Sequence, residues 1–190
     1  MASENYRLTV DPLDLGADVR AIGLELVELT EDADHPAARG AEAAAIWASA
    51  LPALAGAEPW ALDFFSHLDR LREFCRNHQI GFRDAASRCT VIPAPTPDLL
   101  SALLTRFEAE TFGFRAGALL ESPDTALEKD LSHHGVDAYH HVFHNYFALG
   151  VCDFENGSLT VLSMKLTSSE TVRRLRAALG AHSVRVDRPE

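Results

Sequence analysis

The chain has 190 residues, 47% of them hydrophobic and 24% charged, with a formal net charge of −11. That length suits one domain with a usable core, and the acidic balance disfavours nucleic acid and anionic membrane, which repel a negative surface. No apolar run approaches the ~20 residues of a membrane span, and the opening stretch MASENYRLTV lacks the basic and apolar regions of a secretory signal.

Cys75, Cys89 and Cys152 are odd in number and far apart, a pattern of reduced thiols in a cytoplasmic protein, not of a disulfide frame. The preference for Arg over Lys and the abundance of Ala fit a GC-rich bacterial genome. Charge is polarised. Residues 1–34 carry nine acids and two arginines, whereas residues 165–190 carry six bases and three acids.

Tyr6 to Val10 is β-prone, and Asp11 to Gly16 reads as a turn or cap region. Residues 19–29 fit both periods: Val19, Ile22, Leu26 and Leu29 suit a helix, whereas Ile22, Leu24 and Leu26 around Glu25 suit a strand. Gly23 tips the balance to strand. Glu31 to Gly40 is a polar loop, and Ala41 to Leu51 is an Ala-rich helix ending at Pro52. A second helix is expected from Pro59, with Phe64, Leu68, Leu71 and Cys75 as its apolar stripe and Gly81 as its stop.

Strands and helices then alternate. Arg88 to Ile92 reads as a strand. Thr96 caps a helix with Pro97 in its first turn and Leu99, Leu100, Leu103 and Phe107 inward. Thr111 to Leu120 is a strand, and Ser122 to Ser132 a helix. Phe147 to Phe154 and Leu159 to Leu166 form a hairpin about Asn156-Gly157, the preferred pair for a tight type I′ turn. Thr167 and Glu170 make a capping box for a helix with Val172, Leu175 and Leu179 inward, and Ser183 to Asp187 is a last strand.

These elements predict an α+β fold with residues 1–190 as a single domain. A mostly helical N-terminal part, 1–84, packs on a sheet-forming part, 85–190. The sheet is mainly antiparallel and built from strand–helix–strand units at 88–120 and 159–187, an arrangement of ferredoxin-like type. The hairpin 147–166, apolar on both faces, belongs at its middle.

Chemistry concentrates between His133 and His144, which holds five of the nine histidines. At ~100° per residue, Val136, Tyr139, Phe143 and Tyr146 line one helix face, and Asp137, His140, His141 and His144 the other. On a helix, His140 and His144 stand one turn apart with Asp137 beside them, a set able to reach one zinc, iron or nickel ion, with His133 as a further ligand. On a strand, residues four apart lie roughly 13 Å from each other and cannot share a metal. No HExxH supplies a general base. The aromatic stripe claims the inward side, so a solvated histidine face with no cofactor is the preferred reading.

Cys152 as a thiol nucleophile is weaker than Cys152 as a small buried hydrophobe. Arg173, Arg174, Arg176, Arg185 and Arg188 could hold phosphate or carboxylate, but an exposed helix back is ordinarily solvated.

Three functions are compatible with this sequence, and none makes it an established enzyme. The first is a cytoplasmic module that binds a small ligand or self-associates as a homo-oligomer. The second is a metal-dependent enzyme using Asp137, His140 and His144. The third is an inhibitor- or immunity-like protein whose acidic N-terminal region meets a basic partner protein. The metal reading has a direct check. Neutral imidazoles are the ligands, so affinity must fall as pH drops through ~6.5, and His140→Ala must remove stoichiometric metal from untagged protein. With a solvated face, elemental analysis finds no metal to lose, and the same substitution changes stability by no more than ~0.5 kcal/mol.

Overall fold

The computed structural model describes residues 5–14, 20–30, 36–55, 60–63, 68–86, 89–93, 95–107, 114–119, 146–153, 157–163 and 166–187. They form nine strands and four helices: β1 (Tyr6–Asp14), β2 (Arg20–Glu28), α1 (Gly40–Ala55), β3 (Trp60–Asp63), α2 (Leu68–Asn77), β4 (Arg83–Ala86), β5 (Cys89–Ile92), α3 (Pro97–Phe107), β6 (Phe114–Leu119), β7 (Tyr146–Asp153), β8 (Ser158–Ser163), α4 (Ser168–Ala178) and β9 (Val184–Asp187). One sheet joins the strands in the order β4-β5-β3-β6-β7-β8-β2-β1-β9. The β1–β9 pairing is parallel and the others are antiparallel.

The class is α+β, and the hairpin β7–β8 lies at the centre of the sheet. The strand–helix–strand units are both split. β5 and β6 flank β3, and β8 and β9 flank the β2–β1 hairpin, so the order is not that of two adjacent units. Among the described residues, the 1–84 part holds the helices α1 and α2 together with the strands β1, β2 and β3 and the start of β4.

Alternation sets the core. On β1, Tyr6, Leu8 and Val10 are buried; on β2, Ile22, Leu24 and Leu26; on β8, Leu159 and Val161; on β9, Val186. Register aligns them: Leu8 pairs with Leu26 and Val186, Leu24 with Val10 and Leu159, and Ile22 with Val161. All belong to one cluster with Ile46, Trp47 and Leu51 of α1, Leu71 and Cys75 of α2, Leu100 and Leu103 of α3, and Val172 and Leu175 of α4. The helices therefore cover one face of this sheet.

Several boundaries differ from the sequence expectation. β1 continues through Asp11–Asp14 instead of turning, paired with β2 as far as Arg20. Pro12 is tolerated because β9 pairs only with Tyr6 to Thr9, so Pro12 lies where β1 is an edge strand. α1 runs through Pro52 to Ala55. A helix-interior proline costs ~3 kcal/mol, but Leu51 and Leu54 are each 2% exposed, and fully burying a Leu returns roughly 1.5–3 kcal/mol. Trp60–Asp63, expected in a helix, is β3, held by antiparallel partners on both sides.

α2 is accordingly shorter, and Phe64 lies outside the described residues. Its last turn closes as a Schellman motif. The Ile80 N–H donates to the Cys75 carbonyl (2.8 Å) and the Gln79 N–H to the Arg76 carbonyl (3.2 Å). The left-handed residue is Gln79 at φ 56°, not Gly81. In the β7–β8 turn Gly157 has φ 64°, and a Cβ there would stand 2.8 Å from the Leu26 carbonyl, so the position admits glycine alone.

Both caps read from sequence form. Thr96 Oγ1 accepts from the Leu99 N–H (3.2 Å) and Thr167 Oγ1 from the Glu170 N–H (3.2 Å). The Glu170 carboxylate turns instead to Arg173 (2.7 Å) and Arg174 (2.8 Å), which hold its carboxyl at about 2.

The sheet edges are short and managed. Ser183 directs its carbonyl to β1, so by strand alternation Val186 directs its own to the open edge of β9. Arg176 Nε (3.3 Å) and Nη2 (2.9 Å) both donate to it. A partner strand would have to displace that guanidinium. At the other edge, Asp84 of β4 accepts from Arg72 Nε (2.7 Å) and Thr90 Oγ1 (3.3 Å).

Two predictions follow from the packing. Leu71 is fully buried while Leu68 is half-buried at the rim, so Leu71→Ala is expected to cost about 2–5 kcal/mol and Leu68→Ala clearly less. Equal shifts in urea midpoint would show that α2 presents a different face. Tyr6 donates its hydroxyl to Glu42 in the first turn of α1, and burial, this bond and the charges of Glu42 and Glu28 push its phenol up to about 12. A raised pKa means that the stabilisation is whole below the ordinary tyrosine value of ~10 and is lost as pH rises towards 12. Absorbance titration should show a tyrosinate step near 12 that Tyr6→Phe removes. Complete ionisation of Tyr6 by ~10 would contradict the contact.

Candidate functional site

The face of β1, β2, β8 and β9 turned away from the helices carries the alternate set of residues. These are Arg7, Thr9, Asp11 and Leu13 on β1; Gly23, Glu25 and Val27 on β2; Ser158 and Thr160 on β8; and Arg185 and Asp187 on β9. Register arranges them in rows. Arg7 lies between Arg185 and Val27, Thr9 between Asp187 and Glu25, and Gly23 between Asp11 and Thr160. Leu13, 38% exposed, leans across Gly23, where an added Cβ would meet its side chain at 3.4 Å.

This face is polar but sheltered. Arg7, Thr9, Asp11, Ser158, Thr160 and Asp187 are half-buried, whereas Glu25 and Arg185 are exposed. Arg185 Nε donates to Asp187 (2.8 Å), which neutralises that pair. Arg7 is different, since its Nε is buried and, among the described residues, has no hydrogen-bond partner. A buried N–H left without an acceptor costs ~1–3 kcal/mol.

The sites read from sequence fare unequally. Asp137, His140 and His144, with His133, lie outside the described residues, as does the helix that would present them except for its last stripe residue, Tyr146, which opens strand β7 instead. Among the described residues no group of three or more His, Cys, Asp or Glu side chains is placed to hold a metal ion. Cys152 pairs through its backbone with Leu159 and Phe114. Cys75 is a free, buried thiol, and burial raises its pKa, which lowers thiolate reactivity.

The arginines of α4 are spent inside the fold. Arg173 and Arg174 serve Glu170, Arg174 also reaches the Ala53 carbonyl (3.3 Å), and Arg176 caps β9. Arg188 lies outside the described residues.

The structure also brings Ser49 Oγ within 3.0 Å of His182 Nε2 across 133 residues. Ser49 Oγ stands 3.0 Å from the Ala45 carbonyl, to which it donates along its own helix, leaving its oxygen to accept from the imidazole. That polarity makes the pair a clamp between α1 and the turn before β9; a nucleophile would need the opposite one. No family model, no curated protein and no solved structure matches this chain.

Sequence reasoning missed the Arg7 face. Its signal was present in the alternation Tyr6-Arg7-Leu8-Thr9-Val10. The neighbours that make it a surface come from β2, β8 and β9, as distant as residue 187.

Proposed function

We propose that this protein is a binding module that holds a small polar ligand on the sheet face opposite its helices, across β1, β2 and β8. The observation that carries this reading is the half-burial of Arg7, Thr9, Asp11, Ser158 and Thr160 on the outer side of the sheet. Polar side chains that shed water without being spent on one another are what a ligand site offers before it is filled. Hydroxyls of Thr9, Ser158 and Thr160 give adaptable donors and acceptors, and Val27 and Leu13, which lies over Gly23, give apolar contact. Self-association through β9 fits less well, because Arg176 already occupies the outward carbonyl of Val186. The free thiol of Cys75 and the odd, widely spaced cysteines support a reducing compartment, the cytoplasm, as the setting.

The test is a thermal-shift panel of metabolites on the wild-type chain and on Thr160→Trp and Thr9→Trp, whose indoles would fill the face. A ligand at a hundred times its Kd should stabilise by about 2.7 kcal/mol, or roughly 5–10 °C in Tm. Both variants are expected to melt cooperatively and to lose that shift. A stabilising metabolite that acts equally on all three proteins would place the site elsewhere, and a panel with no stabilising member would remove the reading.

A further inference from the structure

We infer that the Arg7 end of this face is an oxyanion subsite, the part of the ligand site that takes a carboxylate or phosphate group. The inference rests on the binding-module reading above and names the chemistry of its ligand.

Two observations carry it. The first is the register: Arg7 of β1 stands beside Arg185 of β9 on the same face. Neighbouring strands lie ~4.8 Å apart, and like charges directly across a pair destabilise a sheet unless something of opposite sign sits between them. The charged groups facing Arg7 are Arg185, Asp187 and Glu25. Asp187 is engaged by Arg185 at 2.8 Å. Glu25 stands in the next row, opposite Thr9, and is exposed. The second observation is that the Arg7 Nε is buried and, among the described residues, has no hydrogen-bond partner, whereas Arg185 has Asp187.

An oxyanion answers both conditions. It supplies a negative charge beside Arg7 and accepts from its guanidinium fork, the geometry for which arginine is the preferred residue. Thr9, two residues along β1 on the same face, adds a hydroxyl donor. Val27, paired with Arg7 on β2 and 6% exposed, provides an apolar flank that strengthens the contact by excluding water. A neutral or cationic ligand would bring no negative charge to Arg7.

The experiment follows the side-chain Nε–H resonance of Arg7, assigned by its disappearance in Arg7→Lys, during titration with inorganic phosphate and with malonate. Sodium chloride at matched ionic strength controls for screening. The subsite predicts a saturable shift with at least one of the two oxyanions that chloride does not reproduce. Which probe saturates tells phosphate from carboxylate. Arg7→Met is expected to weaken binding about tenfold or more, as for loss of a charge-assisted pair, and Arg7→Lys to retain part of it as a point charge.

An Nε–H resonance that moves no further than with chloride at millimolar probe overturns the subsite, and so does undiminished binding to Arg7→Met. Should Arg7→Met fail to fold, the wild-type resonance decides alone. A metabolite whose stabilisation requires Thr160 but survives Arg7→Met unchanged removes the subsite and leaves the binding face intact. Oxyanion binding at Arg7 that the Thr160→Trp variant leaves untouched, with no metabolite of the panel stabilising the wild type, keeps the subsite and removes the wider face.

Discussion

The register of β1, β2 and β8 is the constraint on which the rest of the structure depends. Side chains alternate along a strand, so a slip of one residue exchanges the two faces completely. In the observed register Leu8, Val10, Leu24, Leu26 and Leu159 meet under the helices. A slip would bring Arg7, Thr9 and Glu25 into the core instead, and taking an unpaired charge out of water costs several kcal/mol per ion. The same alternation that builds the core therefore builds the polar face. Core and candidate site are two sides of one pairing, and neither can be altered without the other.

α1 is the second organiser. It packs against α3 and α4 and reaches β6 and β7. Its alanines Ala43, Ala44, Ala48 and Ala50 are all buried, so small side chains let neighbouring elements approach closely, while Trp47 and Ile46 fill the centre. Trp47 is 1% exposed and its indole N–H has no acceptor among the described residues, a cost of ~1–3 kcal/mol that the burial of so large a ring outweighs. Two long-range contacts hold the C-terminal unit to α1: Ser49 with His182, and Arg174 with the Ala53 carbonyl. Tyr6 and Glu42 tie its first turn to β1.

Charge is spent unevenly. On α4 and β9, Glu170 and Asp187 absorb three arginines, and Arg176 closes a sheet edge. On α2 and β4, Arg72 lies between Asp69 and Asp84. These groups are local structure; the sequence offered the α4 arginines as a phosphate or carboxylate site but favoured a solvated helix back. Arg7 differs from them: among the described residues its buried Nε has no hydrogen-bond partner.

Local signals by themselves determined much of this protein. The Asn-Gly turn and two apolar runs gave the central hairpin, Thr96 and Thr167 gave two helix starts, and the Val172, Leu175, Leu179 spacing gave the inward face of α4. These rest on interactions within a few residues, which a sequence displays directly. Tertiary structure decided what depends on distant partners. Trp60–Asp63 is a strand because β5 and β6 flank it, Arg83–Ala86 because β5 lies beside it, and α1 crosses Pro52 because Leu51 and Leu54 have a core to enter. The polar face belongs to the same category. Arg7 and Arg185 are 178 positions apart, and only parallel pairing of the last strand with the first makes them neighbours. The sequence brings Asp137, His140 and His144 together through helical spacing alone, the kind of signal it can carry by itself, whereas a site assembled across strands requires the sheet.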